Sequence, residues 1–360
     1  MADSDALTQM RERIDAIDAQ LIEILNDRAR LVQQVAHVKA AQGDTDSYYR
    51  PEREAQILRR VLERNPGPLA GAGLVAIFRE VISACFALEQ GLRVAYFGPA
   101  GTYTEAAMYK HFGRAVAAVA CPAIDDVFRA VETGECACGV VPVENSFAGA
   151  VTQTLDRLVD SSARICGEIE LPIHHQLLVR DPALDISRVY AHAQALAQCR
   201  GWLAKHLPGV PCEAVASNGE AARMASQAPG TAAIAGTDAA TIYELAARAR
   251  NIEDDPRNST RFLVIGARAT PPSGDDKTSL VFAAANQAGA LHRALGAFAE
   301  HGISMTRIES RPSRRGNWEY LFFVDIQGHA DDPKVALALE EFARRTSMLK
   351  LLGAYPRAVL

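Results

Sequence analysis

Read in sevens, the stretch from Met10 to Lys39 places two lines of residues side by side. Arg11, Asp18, Leu25, Val32 and Lys39 fall on one line, and Ile14, Leu21, Arg28 and Val35 on the next. That spacing defines the apolar seam of a long bundle helix. The seam also carries three fixed cations, Arg11, Arg28 and Lys39. A cation taken out of water without a partner is costly, so the seam calls for an anion. Arg28 and Lys39 stand about 16 Å apart along the axis, a gap two long side chains can close on one small dianion. Arg11 stands about 25 Å from Arg28, too far to share that ligand. Either Arg11 is unrelated, or it serves a site made with a second, antiparallel copy of the helix. The competing reading pairs these cations with local carboxylates such as Asp18 or Glu23.

A chain of 360 residues suggests two or three domains. A net charge of −5 argues against nucleic acid or an anionic membrane as the main partner. Seven cysteines at scattered positions suggest reduced thiols in the cytosol, not a disulfide framework. Cys136 and Cys138 lie close together, but no second Cys pair or spaced His pair completes a zinc site, and no metal is expected. The opening residues carry no basic-plus-apolar export signal, and no apolar run is long enough to span a bilayer.

Beyond a polar loop at Gly43 to Tyr49, Pro51 suits the first turn of a second helix that runs to about Arg64. A third helix carries Leu74, Ile77, Val81, Cys85 and Leu88 on one face and ends at Gly91. Three helices so unequal in length make a poor monomeric core, whereas an intertwined dimer would bury both long seams. With Arg53-Glu54 and with Cys85 and Glu89 four residues apart, residues 1–91 resemble the AroQ-type, all-α chorismate mutases. The resemblance implies that Arg11, from the other subunit, binds substrate carboxylate together with Arg28 and Lys39. It matches Arg53 and Glu54 to the family's Arg-Glu pair and Glu89 to its ether-oxygen partner. Cys85 stands where a hydroxyl residue can occur, and Arg50 where some relatives carry Asp. Chorismate rearranges to prephenate through a chair-like pericyclic transition state. The protein must hold two carboxylates and stabilise charge growing on the ether oxygen; no cofactor is needed.

From Leu92 the pattern changes to strand, turn and helix. Arg93–Phe97 reads as a strand and Gly98-Pro-Ala-Gly101-Thr102 as a glycine-rich turn opening a helix, able to offer N–H groups to an anion. Gly139–Val143 is a strand ending in Glu144-Asn145-Ser146. Further strands are Ile173–Arg180, Arg188–Ala191 ending at His192-Ala193-Gln194, Thr231–Ala235, and Phe262–Gly266 preceded by Ser259-Thr260-Arg261. Ser217 reads as a helix cap. Polar clusters thus recur at strand ends, where open α/β sheets place ligands. Any one of them alone could merely cap a helix. Together they make residues 92–270 similar to prephenate dehydratase, a two-lobed α/β domain with its site in the cleft. The resemblance makes Thr260 the catalytic threonine and brings Thr102, Glu144, Asn145, Ser146 and Arg261 to the site. His192-Ala193-Gln194 departs from the family's usual His-Pro-Gln. Prephenate must lose its ring carboxylate and C4 hydroxyl together. A Thr hydroxyl is a hydrogen-bond donor rather than a strong acid, so Thr260 is expected to polarise the leaving hydroxyl, and Arg261 with backbone N–H groups to bind carboxylates.

Pro271–Asp276 is a linker by composition. Beyond it, strand Lys277–Ala285, helix Ala290–His301, strands Ser304–Glu309 and Trp318–Asp325, helix Pro333–Arg345 and strand Met348–Tyr355 give the β-α-β-β-α-β order of a ferredoxin-like fold. Residues 277–360 resemble an ACT regulatory domain. Gly289-Ala290-Leu291 and Glu309-Ser310-Arg311-Pro312 match that family's phenylalanine-binding motifs; a purely structural dimerisation domain is the competing reading.

The expectation is therefore a multidomain, cytoplasmic enzyme in three parts, taking chorismate to prephenate and prephenate to phenylpyruvate, with L-phenylalanine as effector. A homodimer is expected, with a higher oligomer open. The alternatives are a solute-binding receptor, disfavoured by the lack of an export signal, and a cytosolic ligand-binding regulator without catalysis.

Overall fold

The structure, a computed structural model, describes residues 2–41, 49–88, 91–284, 287–313 and 320–360, with the side chains of residues 2–4, 39 and 40 outside that description. The chain opens with three helices, α1 (Ala2–Ala41), α2 (Pro51–Arg64) and α3 (Gly71–Ala87). Pro51 begins α2, and Glu52 and Glu54 in its first turn complement the helix dipole. α2 and α3 close on Leu58, Val75 and Ile82, with Phe78 and Phe86 packed alongside. α1 is different. Its apolar side chains lie in the open: Ile14 is 55%, Leu21 50% and Val35 55% exposed.

An α/β body follows. Its first lobe contains β1 (Arg93–Phe97), α4 (Tyr103–Phe112), β2 (Ala117–Cys121), α5 (Ile124–Glu132), β3 (Cys138–Asn145), the short β4 (Gly149–Ala150), α6 (Thr152–Asp160) and β5 (Arg164–Pro172). The second holds β6 (Gln176–Val179), β7 (Arg188–His192), α7 (Ala193–Gln198), α8 (Arg200–His206), β8 (Cys212–Val215), α9 (Asn218–Gln227), β9 (Thr231–Ala235), α10 (Thr237–Ile242) and β10 (Ala246–Ala249). β11 (Ser259–Gly266) then returns to the first lobe. The sheets are ordered β2-β1-β3-β11-β5, with β4 on β3, and β10-β6-β9-β7-β8. Two crossings join the lobes and are bonded to each other: Ile173 N–H to Asn258 O (2.8 Å) and Ile252 N–H to His175 O (2.9 Å).

Two strand boundaries differ from expectation. The strand expected from Ile173 begins at Gln176, because Ile173–His175 form a crossing. The strand expected from Phe262 begins at Ser259, because β11 is paired on both flanks, with β3 and β5, and both ladders draw Thr260 and Arg261 in.

The last body is β12 (Asp276–Ala283), α11 (Ala290–Glu300), β13 (Met305–Pro312), β14 (Tyr320–Gln327), α12 (Pro333–Arg344) and β15 (Met348–Pro356), an antiparallel sheet ordered β13-β14-β12-β15. Phe298 and Phe342 stack at 4.5 Å in its core. Its other face joins the first lobe: Val281, Phe323, Leu352 and Tyr355 share one core with Val141 and Ile165. Gly353 permits that approach, since a Cβ there would lie 2.1 Å from Ile165 O. The helical part is tied to the same body. Arg59 donates to Ser273 Oγ (3.0 Å) and Asp275 O (2.6 Å), and Arg79 to Val359 O (2.7 Å). Val359 packs against the α2–α3 core.

Candidate active sites

β3 and β11 run side by side with Asn145 opposite Thr260 and Glu144 opposite Arg261. Successive residues of a strand point to opposite faces. Asn145 and Thr260 meet on one of them, where Asn145 Nδ2 donates to Thr260 Oγ1 at 2.9 Å. The same nitrogen, sharing its two hydrogens, also lies 2.9 Å from Asn258 Oδ1 and 3.1 Å from Ser259 O, while Asn145 Oδ1 accepts from the N–H groups of Phe147 (3.0 Å) and Ala148 (2.9 Å). Ser146 locks the strand ends, its Oγ accepting from Ser259 N–H at 3.0 Å.

The second lobe reaches this pair through Gln198, whose Nε2 is 3.5 Å from Asn145 Oδ1. Gln198 Oε1 is 2.7 Å from His175 Nε2, and His175 Nδ1 is 2.8 Å from the Tyr103 hydroxyl. His175, Gln198 and Asn145 are all buried. Burial holds His175 below the usual imidazole range and raises Tyr103 well above the usual phenol range, so both are neutral.

The glycine-rich turn forms one wall. Thr102 is the N-cap of α4, accepting from Glu105 N–H at 3.4 Å. Buried Glu105 accepts from Gly101 N–H (2.6 Å) and the Tyr96 hydroxyl (3.0 Å), which fixes Gly101 at φ +79°. The second lobe closes on this turn through Gly219, where a Cβ would lie 2.5 Å from Ala100 O. The N-terminal ends of α4 and α9 therefore meet, and helix N-termini favour anions. His192, at the start of α7, has its N–H bonded to Asn218 Oδ1 at 2.9 Å.

Two expected site residues face away. Arg261 sits on the opposite side of β11 from Thr260. Its Nε donates to Glu168 Oε2 (3.0 Å), Nη1 to Asp325 Oδ2 (2.5 Å) and Nη2 to the Tyr355 hydroxyl (2.9 Å). Lys277 joins the cluster at 2.9 Å from Glu168. Glu144 likewise accepts from Arg307 Nε at 2.6 Å. The expectation that Arg261 binds substrate carboxylate is corrected: strand alternation commits it, with Glu144, to the seam with the ferredoxin-like body.

In the helical part, Arg28 Nη1 lies 2.9 Å from Cys85 Sγ, uniting two expected residues. Arg11 and Arg53 are exposed on α1 and α2. Glu54 is buried and turns elsewhere, into a pocket lined by Tyr49, Arg79, His111 and Val359 where the three bodies meet. Burial raises its carboxyl to about 7 against the pull of Arg79. Glu89 and the Lys39 side chain lie outside the described residues.

In the ferredoxin-like body, Gly289 takes the left-handed conformation (φ +74°) that opens α11, followed by buried Ala290 and by Leu291 against the core. Glu309, Ser310 and Pro312 lie on the edge strand β13. Arg311 is taken by the dehydratase-like lobe, 2.6 Å from Asp156 Oδ1. Sequence reasoning missed His175, Gln198, Tyr103 and Asn258. Only the His174-His175 doublet beside Pro172 offered a local signal.

A helical bundle part, a two-lobed cleft and a ferredoxin-like body, in this order, define a multidomain enzyme with two reaction centres. Family models agree: chorismate mutase type II over residues 10–90, prephenate dehydratase over 94–270 and the ACT domain over 278–344. A bifunctional chorismate mutase/prephenate dehydratase of Pseudomonas aeruginosa is 50% identical over 365 residues, covering 100% of both chains. A prephenate dehydratase from Arthrobacter aurescens, solved in complex with L-Phe, is 34% identical with a TM-score of 0.68, covering 74% of this chain and 90% of that one. GqqA, described as a novel type of quorum quenching acylase, is 30% identical with a TM-score of 0.67, covering 74% and 98%. The chain belongs to the bifunctional chorismate mutase/prephenate dehydratase family. Among the described residues no helix is long and apolar enough to cross a membrane.

Proposed function

We propose that residues 1–91 rearrange chorismate to prephenate, residues 92–270 convert prephenate to phenylpyruvate with loss of water and CO2, and residues 277–360 sense L-phenylalanine, in the cytoplasm. The observation that carries the dehydratase assignment is the Asn145–Thr260 hydrogen bond. Because Asn145 Oδ1 is already held by two backbone N–H groups, its amide nitrogen faces Thr260 as a donor. The Thr260 oxygen accepts that bond, which leaves its own O–H free to donate to the leaving C4 hydroxyl. The ring carboxylate leaves as CO2, its C–C electron pair enters the ring as the C4–O bond breaks, and the departing hydroxide takes up one proton to become water, which aromatises the ring. The paired N-termini of α4 and α9 supply N–H groups for carboxylate, the part earlier expected of Arg261.

For the mutase, Arg28, Lys39, Arg53, Cys85 and Glu89 of one chain and Arg11 of a second chain form each site, in a homodimer. The uncovered apolar residues of α1 support that reading, since a long exposed apolar stripe asks for a partner. The site holds both carboxylates so that the reacting carbons approach. Gly289–Leu291 and Glu309–Pro312 form the effector site, with Arg311 linking it to α6.

Thr260→Ala tests the central claim. Dehydratase turnover should vanish, mutase turnover stay near normal, and prephenate accumulate; a loss below about tenfold, roughly 1.4 kcal/mol in the barrier, overturns it. Gly289→Val tests the effector site, since a β-branched residue is strained at φ +74°. It should abolish phenylalanine inhibition and leave both basal activities. Retained inhibition places the effector elsewhere.

A further inference from the structure

Thr260 is one end of a buried run of polar groups that crosses from one lobe to the other, and the direction of every bond in it can be worked out. The backbone N–H groups of Phe147 and Ala148 can only donate, so Asn145 Oδ1 is an acceptor. Gln198 must then present its amide nitrogen to that oxygen and its own oxygen to His175 Nε2. Nε2 therefore carries the hydrogen. A neutral imidazole has only one, so Nδ1 is a bare acceptor and takes the Tyr103 hydroxyl hydrogen at 2.8 Å. That hydroxyl also lies 3.0 Å from His174 O, so its single hydrogen serves two acceptors, of which Nδ1 is the nearer. The run reads Tyr103 to His175 to Gln198 to Asn145 to Thr260, each group donating toward the next.

The opposite tautomer would break it. With the hydrogen on Nδ1, Gln198 would turn its nitrogen to His175 and its oxygen to Asn145 Oδ1. Two acceptor oxygens would then face each other in a buried site, which is costly. His175 lies on the crossing between lobes, its N–H held by Glu253 Oε2 at 2.8 Å, while Glu253 Oε1 takes His174 Nδ1 at 2.8 Å.

We propose that His175 is a positioning residue of the dehydratase: held by Tyr103 in the Nε2–H form, it sets the Gln198 amide and through it the seat of Asn145 and Thr260. This rests on the role given to Thr260 above. Its function is to aim, so its loss should appear in kcat and not in substrate binding.

The test is steady-state dehydratase kinetics on the full chain, with mutase turnover in the same preparation as the control for folding. His175→Leu should lower dehydratase kcat about 10- to 30-fold with the prephenate KM within about twofold. His175→Gln, which can return a donor near the Nε2 position, should recover to within about threefold of wild type. In a Gln198→Leu background, His175→Leu should add less than about twofold, because residues acting through one another are not additive. A merely structural histidine would not be rescued by Gln, and its loss would add in full. Should His175→Leu fail to fold, Tyr103→Phe decides, since it removes only the hydroxyl that selects the tautomer. A three- to fivefold fall in its kcat, roughly 0.7–1 kcal/mol, supports the proposal, and an unchanged kcat overturns it. If Thr260→Ala is inactive while His175→Leu turns over as wild type, this inference alone falls. If Thr260→Ala stays active, the reading of Thr260 falls first.

Discussion

The two candidate sites are built in opposite ways. On α1 the described residues of one chain bring Arg28 to Cys85 and leave Arg11 exposed on the same helix, about 25 Å off, with the apolar seam uncovered. In the cleft, Thr260, Asn145, Gln198 and His175 stand in hydrogen-bonding contact within one chain. A helix seam shows its residues in the sequence through their period but needs a neighbour to complete it. A strand-end site is completed by its own fold, from positions more than a hundred residues apart that no period links.

The most severe test of that contrast is the shared mutase site. Arg28→Ala and Arg11→Ala should each cost mutase activity about 10³-fold or more, roughly 4 kcal/mol in the barrier, and spare the dehydratase. The two variants, unfolded and refolded together, should regain part of the activity, because one site in each heterodimer is intact. Lack of recovery in verified heterodimers would show that a single chain completes both centres and dissolve the contrast.

A second test asks whether the cleft is as self-contained as its contacts imply. Arg261→Met would leave Glu168 and Asp325 buried, with Lys277 still beside Glu168 but Asp325 without its cation. Breaking a buried pair from one side costs about 3–5 kcal/mol. Urea unfolding should report a loss of that size, and folded Arg261→Met should keep the prephenate KM near wild type. A large rise in KM would return Arg261 to substrate binding.

A third test lies where the helices meet the α/β body. Glu54 is raised from 4.5 to about 7 in the folded chain, so the folded state holds more protons than the unfolded one across that window. Its contribution is present below about pH 4.5 and is lost as pH rises through about 7. Neighbouring His111 runs the other way. Burial, with Arg79 and Lys110, lowers it from 6.5 to about 3, so its contribution is present above 6.5 and is lost as pH falls toward 3. Glu54→Gln should therefore stabilise the chain by on the order of 2 kcal/mol at pH 8 and by little at pH 4.5, leaving a rising His111 profile. Unfolding midpoints from pH 4.5 to 8 decide it; an equal shift at every pH would mean Glu54 is already ionised throughout.

The smallest effect is expected at Ala193, the first residue of α7, where the N–H is one a helix leaves unbonded. His192 before it is extended (φ −62°, ψ 144°), as a residue preceding proline must be. Ala193→Pro should raise stability by about 0.4–1 kcal/mol with unchanged dehydratase kinetics, read from thermal unfolding and kcat/KM.

Much of this was legible beforehand, for stated reasons. The seam of α1 shows in its seven-residue spacing, and the ferredoxin-like order shows in alternating strands and well-marked helix starts at Ala290 and Pro333. The motifs single out Thr260 and Asn145, whose side chains the structure brings to 2.9 Å. Arg261 was misplaced because β11 begins at Ser259, three residues earlier than its apolar run suggests, and a strand residue's face depends on being in the strand at all. Gln198 escaped because nothing local marks it, and His175 because a His-His doublet does not say what it will face. Their roles exist only once two lobe crossings lie against each other.

The tail of the chain has one more consequence, for the order of events during synthesis. Leu58, Val75 and Ile82 leave the ribosome long before Val359, which packs against them and whose carbonyl accepts from Arg79. At roughly 5–20 residues per second, the helices wait on the order of tens of seconds for that cover. The α2–α3 core is thus completed late, and nascent chains halted before Val359 should display α2 and α3 with their shared core still open on one side.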